Sequence, residues 1–497
     1  MIRLSLILTS LLLTLPFSTA PAMGQISQPT EPVGGKPPAG AKPSTTDLEY
    51  QVKYQRAFEA VIWSMPAVGI YGFQRGFTEI GGVPNVIVAY SKPARPNLEA
   101  LTANNQVPYL SAQTDLREGP AVLEVPAATD KGSLYGQIVD HWQITIADIG
   151  PSGIDAGKGG KILLTPPGYA EEIPPGYIEV KSPSYRVAFA FRTVPGPDSS
   201  SEEVYEYIKT LKMYYLSELP DPKPTQFVDP NDMRLSTLPF YDERWFEELH
   251  DIISVENVLP RDKVMMGMLA SLGIQKGKPY NPDAKTKKAM RQAVTDAYFY
   301  LQQRFLHPDD PSRLRWKDKQ WYNTLFCDEN QEFAYDYEDR IDLIGRADRF
   351  YPGTFYPKKL SPKPAVEYVY AVADNDGNPL EEGKTYSLTI PAKVPVEQFW
   401  SLVVYDLETF AFIYSPQERP GLSSFDLPDM QKNSDGSVTM YFGPKPPKGQ
   451  EKNWIPTEGK RPMPIVRFYG PTEEYHNRSW ELQDVKLEKE EPKKEDK

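Results

Sequence analysis

Alternating apolar and polar positions predict short β-strands in two separate stretches of the chain, because successive side chains of a strand point to opposite faces. In the first stretch, turn residues separate six such runs, at 85–90, 121–125, 136–148, 161–167, 177–182 and 184–194. In the second stretch, apolar runs recur at 366–372, from Thr385, and at 397–413, 437–444 and 462–471. This short, roughly regular spacing favours antiparallel sheets packed as sandwiches over alternating strand and helix units.

Helical periodicity replaces this alternation between the two strand-rich stretches. The spacing of apolar residues predicts helices at 201–219, 242–255, 260–273 and 281–305. Ser201 is expected to be the N-cap of the first of these helices. A further short helix is predicted at 47–65, ahead of the strands. Pro66 is expected to end it, because proline cannot donate the backbone hydrogen bond that a continuing helix needs.

Together these patterns predict a mainly β protein with a helical segment (α+β), in which two antiparallel β-sandwich-like domains are linked by a helical region. A chain of 497 residues is too long for one ordinary core. The predicted division is a signal peptide at 1–24, a flexible Pro/Gly linker at 25–46, an N-terminal β-rich domain at 47–197, a helical segment at 198–320, a connecting segment at 321–365, a C-terminal β-sandwich-like domain at 366–485 and a charged tail at 486–497.

The first residues have the features of a secretory signal peptide. Arg3 precedes an apolar stretch at 4–15, and a small-residue segment follows that suits cleavage near Ala22. The stretch is shorter than the ~20 residues that a membrane-spanning helix needs, although an uncleaved anchor is the alternative. We therefore expect an exported, periplasmic or secreted protein with no transmembrane span after signal removal. Cys327 is the only cysteine, so no intramolecular disulfide can form.

Charge and composition narrow the possible partners. The formal net charge of -12 argues against a nucleic-acid partner, which would require a concentrated basic face. The four histidines are far apart in sequence, so neither a metal site nor a cofactor is predicted. The glycine-rich segment 153–168 suggests a phosphate loop and the segment 374–378 a calcium loop. Both lack the required spacing, and a hairpin loop and a tight turn are favoured instead.

The dipeptide preceding Trp142 carries candidate chemistry. In the predicted strand, Asp140 and Trp142 point to one face and His141 to the other. An acid beside an aromatic ring could bind a polar ligand or adjust a proton affinity. The alternative is a buried Asp140 that accepts backbone N–H groups at a strand end, with Trp142 packed in the core.

A second candidate pair, Tyr405 and Asp406, follows an apolar run. Trp400, Leu402 and Val404 share one face of the predicted strand with Asp406, while Phe399, Val403 and Tyr405 share the other. A strand that is apolar on both faces is expected between two packed layers. This pattern favours a strand end, with Asp406 capping the next turn and the Tyr405 hydroxyl at an edge, over a catalytic dyad.

Four motifs follow one another in the last quarter of the chain. The first is an F-W-S-L-x-x-Y-D strand, matched by Phe399, Trp400, Ser401, Tyr405 and Asp406, and the second is an N-x-D-G-S turn, matched by Asn433, Asp435, Gly436 and Ser437. The third is an N-W-L-P element, matched by Asn453, Trp454 and Pro456, with Ile455 in place of leucine. The fourth is a final R-x-Y-G-P, matched by Arg467, Tyr469, Gly470 and Pro471. In this order they resemble a domain of unknown function, DUF1214, over residues 366–483.

An upstream set of residues resembles the partner domain DUF1254, which usually precedes DUF1214 in one exported chain. The matching residues are Asn104, Tyr109, Asp115, Leu116, Gly119, Pro120, Asp140 and Trp142. Residues 102–109 of this chain align with the family's R-P-N-x-D-T-x-Y motif but lack its Arg, Asp and Thr. A ligand held by those groups in relatives would therefore be held differently here. The resemblance implies an exported, mostly β protein with a helical segment, a homo-oligomer, and no established reaction.

Two functional hypotheses follow. The first is a non-catalytic ligand-binding or structural envelope protein, because aromatic side chains beside polar groups suit small amphipathic or glycan-like ligands. Its candidate ligand-binding residues are Asn104, Tyr109, Trp142, Trp400, Tyr405, Asn453, Trp454 and Tyr469. The second is a hydrolase or lyase acting at a cleft between the β domains. Its candidate acid, base or anion-holding groups are Asp140, His141, Asp406 and Arg467.

Overall fold

The computed structural model describes residues 35–308 and 310–489. About 25% of it is helical and 26% strand, with several antiparallel sheets, so the fold is α+β and mainly β, as predicted. Among the described residues, those from Glu49 onward form one compact unit. The predicted signal peptide lies outside the described residues, as do the linker up to residue 34 and the tail from residue 490.

The described residues form the following regular elements. The α-helices are α1 (Leu48–Glu79), α2 (Ser201–Ile208), α3 (Arg244–Val255), α4 (Lys263–Ala270), α5 (Ala284–Leu306), α6 (Leu343–Phe350) and α7 (Glu473–His476). The strands are β1 (Ile87–Ala89), β2 (Leu98–Glu99), β3 (Tyr109–Asp115), β4 (Ala121–Val125), β5 (Gly132–Asp140), β6 (Thr145–Ile149), β7 (Gly160–Thr165), β8 (Tyr177–Lys181), β9 (Arg186–Pro195), β10 (Lys212–Tyr215), β11 (Phe227–Val228), β12 (Leu235–Ser236), β13 (Trp321–Asn323), β14 (Val366–Ala371), β15 (Tyr386–Ile390), β16 (Val396–Asp406), β17 (Gly421–Ser423), β18 (Val438–Gly443), β19 (Trp454–Pro456), β20 (Pro462–Pro471) and β21 (Lys486–Leu487).

The N-terminal strands form a sandwich of two sheets. The larger sheet has the order β11-β1-β3-β9-β5-β6 and the smaller one β10-β4-β7-β8. Most pairs are antiparallel, whereas β1–β11 and β7–β8 are parallel. Apolar side chains from both sheets, including Leu110, Phe189 and Ile162, form the core between them. Alternation therefore turns the intervening residues of β3, β5 and β9 away from this core.

The C-terminal strands form a second sandwich, from sheets of order β13-β14-β20-β16-β17 and β19-β18-β15-β21. Strand β16 lies between two cores, as predicted. Trp400 and Leu402 pack into the sandwich core, whereas Val403 and Tyr405 pack into a separate core that also contains the helices. Strand β21 occupies the first residues of the predicted tail and pairs with β15.

The helices form a central layer that both sandwiches contact. Its core contains Trp63 of α1, Trp245 of α3 and Met290 of α5, together with Tyr370 and Ile465 of the C-terminal sheet. The two sandwiches are thus joined through a shared helical core. Within residues 35–308 and 310–489, no helix combines the length and apolar character that a membrane crossing requires.

Two helix predictions were wrong in their extent. Helix α1 does not end before Pro66 but continues through it to Glu79. Residues 60–70 are all buried, so tertiary packing outweighs the missing backbone hydrogen bond. The Pro66 carbonyl also accepts a hydrogen bond from Gln143 Nε2 at 2.7 Å.

The predicted helix 201–219 is shorter than its periodicity suggests. Its N-cap is Ser200, not Ser201, and the helix α2 ends at Ile208. The chain then forms β10, in which Met213 pairs with Leu123 of β4. Pairing with the smaller sheet buries Met213 and Tyr214, so the sheet context overrides the helical pattern.

Candidate functional site

The larger N-terminal sheet carries an arginine on the face that points away from its own sandwich core. Arg192 of β9 lies directly opposite Tyr109 of β3 on one side and Tyr135 of β5 on the other. Its guanidinium carbon is 5.5 Å from the Tyr109 ring centre and 5.7 Å from that of Tyr135. Cross-strand neighbours share a face, so these three side chains form one row.

The larger C-terminal sheet carries a similar row. Arg467 of β20 lies opposite Tyr368 of β14 and Ser401 of β16. The Arg467 guanidinium carbon is 5.2 Å from the Tyr368 ring centre and 5.6 Å from that of Tyr405. This face of the sheet is the one that contributes Val403 to the helical core. Each sandwich therefore turns an arginine flanked by tyrosine toward the centre of the molecule.

The segment 102–104, which leads into β3 of the N-terminal sheet, bonds to side chains of the C-terminal sheet. Asn104 Nδ2 donates a hydrogen bond to the Tyr469 hydroxyl at 2.7 Å. Arg467 Nη2 donates to the Thr102 carbonyl at 3.1 Å and to the Tyr405 hydroxyl at 2.6 Å. The Tyr405 hydroxyl in turn donates to the carbonyl of Ala103. Chain positions more than 300 residues apart thus meet in one polar group.

We call this group the arginine–tyrosine cluster, and its members differ in exposure. It consists of Arg192, Arg467, Tyr109, Tyr135, Tyr368, Tyr405, Tyr469, Asn104 and Ser401. Arg467 is only 3% exposed, and Tyr405, Tyr469, Asn104 and Ser401 are also buried. Arg192, Tyr109, Tyr135 and Tyr368 are half-buried. The buried end of the cluster therefore continues into a part that water can reach.

The cluster contains donors without partners. The Nε and Nη1 groups of Arg467 and the Nε group of Arg192 are buried and make no hydrogen bond, and neither does the Ser401 hydroxyl. Among the ion pairs of the described residues, no aspartate or glutamate pairs with either arginine. Buried polar groups normally have partners, so unpaired guanidinium N–H groups indicate a place where a ligand could bind.

Both arginines keep their charge in this setting. Burial by itself lowers the pKa of the Arg467 guanidinium, but the tyrosines around it, chiefly Tyr405 and Tyr469, raise that pKa overall. The pKa of Arg192 is likewise raised against the effect of burial. Burial raises the pKa of Tyr405 to about 12 although Arg467 opposes it. The two positive charges are thus surrounded by uncharged hydroxyl groups.

An aromatic stack leads from the cluster to the surface. The Tyr469 ring stacks on Phe399 with centres 3.9 Å apart, and Phe399 lies 4.7 Å from Phe425. Phe425 is 66% exposed. Guanidinium groups suit carboxylate, phosphate or sulfate groups, and exposed aromatic rings suit an apolar moiety. The arrangement is therefore suited to an amphipathic anion.

Asp140, His141 and Trp142 lie elsewhere, where β5 meets α1. The Asp140 carboxylate accepts the backbone N–H groups of Trp142 at 2.9 Å and Ile144 at 2.8 Å, as the structural alternative predicts. Burial raises the pKa of Asp140 to about 6 and lowers that of His141 well below its usual value. Both residues line a cavity of about 10 Å³ with Arg186, which has room for a single water molecule.

The other predicted residues of the C-terminal domain have structural partners. Asp406 accepts the Glu408 backbone N–H at 3.1 Å, which caps the turn as predicted. Trp400 is buried in the sandwich core. Asn453 Nδ2 donates to two backbone carbonyls, and Trp454 Nε1 donates to that of Gly443 at 3.0 Å. The sequence predicts the Tyr405 hydroxyl at an edge of the sheet. In the structure this hydroxyl is buried beside Arg467 instead. In the part of the chain that the structure describes, no three His, Cys, Asp or Glu side chains converge as metal ligands.

The prediction from sequence includes part of the cluster and misses the rest. Asn104, Tyr109, Tyr405, Tyr469 and Arg467 are among the predicted site residues, and the structure brings them together. Arg192, Tyr135, Tyr368 and Ser401 were missed. One signal was available: in β9 the residues Ala188, Ala190 and Arg192 share a face, and an arginine that ends a row of alanines has no obvious packing role.

Two family models match the chain. The model of DUF1254, described as a protein of unknown function, matches residues 84–215. The model of DUF1214, with the same description, matches residues 365–473. The chain carries both domains, in that order. The DUF1254 region supplies Arg192 with Tyr109 and Tyr135, whereas the DUF1214 region supplies Arg467 with Tyr368. The cluster is thus assembled jointly by the two domains. Among curated proteins, none matches this chain.

One solved structure supports the fold. The crystal structure of the VPA0106 protein from Vibrio parahaemolyticus is similar, with a TM-score of 0.51 and 18% identity over 88% of this chain and 100% of that one. An uncharacterized protein from Burkholderia cenocepacia aligns over 89% of this chain and 95% of its own at 10% identity. Its TM-score is 0.36. A fold shared at such low identity carries no information about the ligand.

Proposed function

We propose that this protein is an exported binding protein whose arginine–tyrosine cluster holds the anionic group of an amphipathic organic ligand. The observation that carries the proposal is the pair of guanidiniums, Arg192 and Arg467, that have buried N–H groups without partners and no carboxylate counter-ion. An isolated buried charge is costly unless it is paired, so a bound anion would relieve a cost that the free protein bears.

The aromatic stack supports an organic ligand over a simple inorganic ion. Phe425 exposes most of its ring to solvent, and Phe399 connects it to Tyr469 in the cluster. Large exposed apolar side chains next to a polar site are typical of ligand contacts. The apolar part of the ligand is therefore assigned to Phe399 and Phe425 and its charged part to the two arginines.

The test is a thermal-shift titration of the purified mature protein with phenyl phosphate, benzoate, phenyl glucoside and octyl sulfate. At least one of the anions should raise the melting temperature in a saturable way, because a ligand that binds only the native state stabilises it. The neutral glucoside should not. The shift should disappear in Arg467→Gln and persist in Arg340→Gln, a matched charge loss at an exposed ion pair. Equal shifts in both variants, or no shift with any anion, would refute the proposal.

A hydrolase or lyase has less support as an alternative. The small cavity beside Asp140 and His141 cannot hold a substrate, and the Asp140 oxygen is used by backbone N–H groups. Arg467 lies in the cluster instead, with Tyr405 as its hydroxyl partner. Burial keeps the pKa of Tyr405 at about 12, which makes it a poor base at neutral pH.

Export and homo-oligomeric assembly are parts of the same proposal that rest on sequence features alone. Arg3, the apolar stretch 4–15 and Ala22 support cleavage and export. Cell fractionation with mass determination of the mature chain should find the protein in the periplasm or the medium, starting after Ala22. A full-length chain in the cytoplasm would contradict export. Light scattering on the mature protein measures its oligomeric state.

A further inference from the structure

Resting on the proposed function, we propose in addition that the charged group of the ligand is dianionic, such as a phosphate monoester or a pair of neighbouring carboxylates. The cluster contains two guanidiniums, Arg192 and Arg467, one from each sandwich. A ligand with one negative charge would leave a net positive charge in a partly dry site, whereas a dianion would balance both.

The arrangement of free donors favours one compact group over two separate anions. Arg467 uses only Nη2 for its protein contacts, so Nε and Nη1 remain available. Arg192 offers its Nε from the facing sheet. Tyr368, which lies opposite Arg467 on the neighbouring strand, is an electrostatic neighbour of Arg192 as well as of Arg467. A small group with several acceptor oxygens could accept from both sheets at once.

The surrounding side chains add no second charge of their own. Burial raises the pKa of Tyr135 to about 12, with Arg192 opposing it, and burial also raises the pKa of Tyr469 well above its usual value. These tyrosines therefore act as neutral hydroxyl groups. The Ser401 hydroxyl, directly across the strand pair from Arg467, is another unpartnered polar group that could bond to an acceptor oxygen.

Sulfate and perchlorate form a matched pair of probes, since both are tetrahedral and they differ in charge. Calorimetric titrations at constant ionic strength should show that sulfate binds at least tenfold more tightly than perchlorate. Malonate provides the dicarboxylate arm. Tighter binding of sulfate than of malonate assigns a tetrahedral dianion, a phosphate monoester, and the reverse order assigns a dicarboxylate. Either order supports a dianion.

Variants at Arg192 test whether the preference for a doubly charged anion depends on the charge of this second arginine. Arg192→Gln should reduce the ratio of sulfate to perchlorate affinity toward one, whereas Arg192→Lys, which keeps the charge, should retain most of it. If Arg192→Lys keeps the ratio of sulfate to perchlorate affinity, the loss in Arg192→Gln is due to the missing charge and not to misfolding.

Two contrary results would have different meanings. If sulfate and perchlorate bind equally and both are lost in Arg467→Gln, the dianion inference is overturned while the proposed binding function stands. If none of the probes, simple or organic, binds the wild-type protein, the proposed function fails and the inference fails with it.

Discussion

Arg304 is half-buried and Arg467 is buried, but of the two only Arg304 has a carboxylate counter-ion. Arg304 Nε lies 2.9 Å and 3.0 Å from the two carboxylate oxygens of Asp348, and its Nη2 lies 2.8 Å from one of them. Arg467 donates only to neutral oxygens, those of Thr102, Ala103 and Tyr405. The first arrangement neutralises its charge within the fold, whereas the second does not.

This difference separates a structural arginine from a candidate binding arginine. Arg75 with Glu248 and Arg186 with Asp251 follow the pattern of Arg304. An arginine cannot escape a dry environment by losing its proton, so an unpaired one imposes a cost on the free protein. Arg313, Arg315, Arg346 and Arg349 are also buried, have no ion pair among the described residues and keep an Nε without a partner. The arginine–tyrosine cluster is therefore marked by more than a missing counter-ion: it contains an arginine from each sandwich, and both lie among tyrosines.

The largest expected effect concerns the stability of the two types of arginine. Arg304→Met should lower the free energy of unfolding by about 3 kcal/mol, because it leaves the largely buried Asp348 carboxylate without its partner. Arg467→Met should change it by less than about 1 kcal/mol, since lost hydrogen bonds and the removed unpaired charge offset each other. Urea unfolding at pH 7 without added anions measures both. An equal loss of unfolding free energy in the two variants would contradict the distinction between Arg304 and Arg467.

A buried acid, unlike an arginine, can respond to poor pairing by binding a proton. Burial raises the pKa of Glu256 to about 7, although the backbone N–H groups of Tyr185 and Arg186 oppose the shift. A raised pKa means that the native state holds the proton more tightly than the unfolded chain. The contribution of this group to stability is therefore complete below about pH 4 and is lost as the pH rises through 7.

Glu256→Gln should flatten this pH dependence. Relative to the variant, the wild-type protein should lose about 2 kcal/mol of unfolding free energy between pH 5 and pH 8. Denaturant unfolding of both proteins across that range gives the slope, which is insensitive to any constant cost of the substitution. Parallel curves for the two proteins would show that Glu256 does not carry the effect.

An engineered counter-ion would convert Arg467 into an arginine of the Arg304 type. Ser401 lies opposite Arg467 on the neighbouring strand, so Ser401→Asp places a carboxylate in the cluster. The affinity for sulfate should fall at least tenfold, about 1.4 kcal/mol. Ser401→Asn has the same shape without the charge and should bind much more tightly than the aspartate variant. Equal affinities would show that charge balance does not govern the site.

The smallest effect is expected from the contact that holds segment 102–104. Tyr469→Phe removes the hydroxyl that accepts from Asn104 Nδ2 and should cost about 1 kcal/mol of stability. It should weaken anion binding only a few-fold, because Tyr469 carries no charge. Thermal unfolding and a sulfate titration of the variant check both values. Complete loss of binding would contradict this expectation and show that anion binding requires the Tyr469 hydroxyl.

Local patterns predict much of the fold correctly. Alternation in β16 places Trp400 and Val403 on opposite faces, and both faces are buried as expected. The turn at 374–378 also forms, with Asp374 accepting the Asn378 backbone N–H. These features depend on neighbouring residues, whose spacing is visible in the sequence.

The cluster could be predicted only in part, because it depends on contacts between distant segments. Asn104 and Tyr469 are 365 positions apart, and no local pattern indicates that they meet. Alternation assigns Arg192 to a face of its strand but cannot tell which sheet or helix covers that face. Helix α1 shows the same limit, since the packing that carries it through Pro66 comes from residues far along the chain.

The most direct test of the central claim is a crystal structure of the mature protein grown with selenate, a dianion that anomalous scattering can locate. The account predicts a selenate within hydrogen-bond distance of Arg467 and Arg192, and its loss in crystals of Arg467→Gln. Well-ordered crystals with selenate bound elsewhere and none in the arginine–tyrosine cluster would contradict the account.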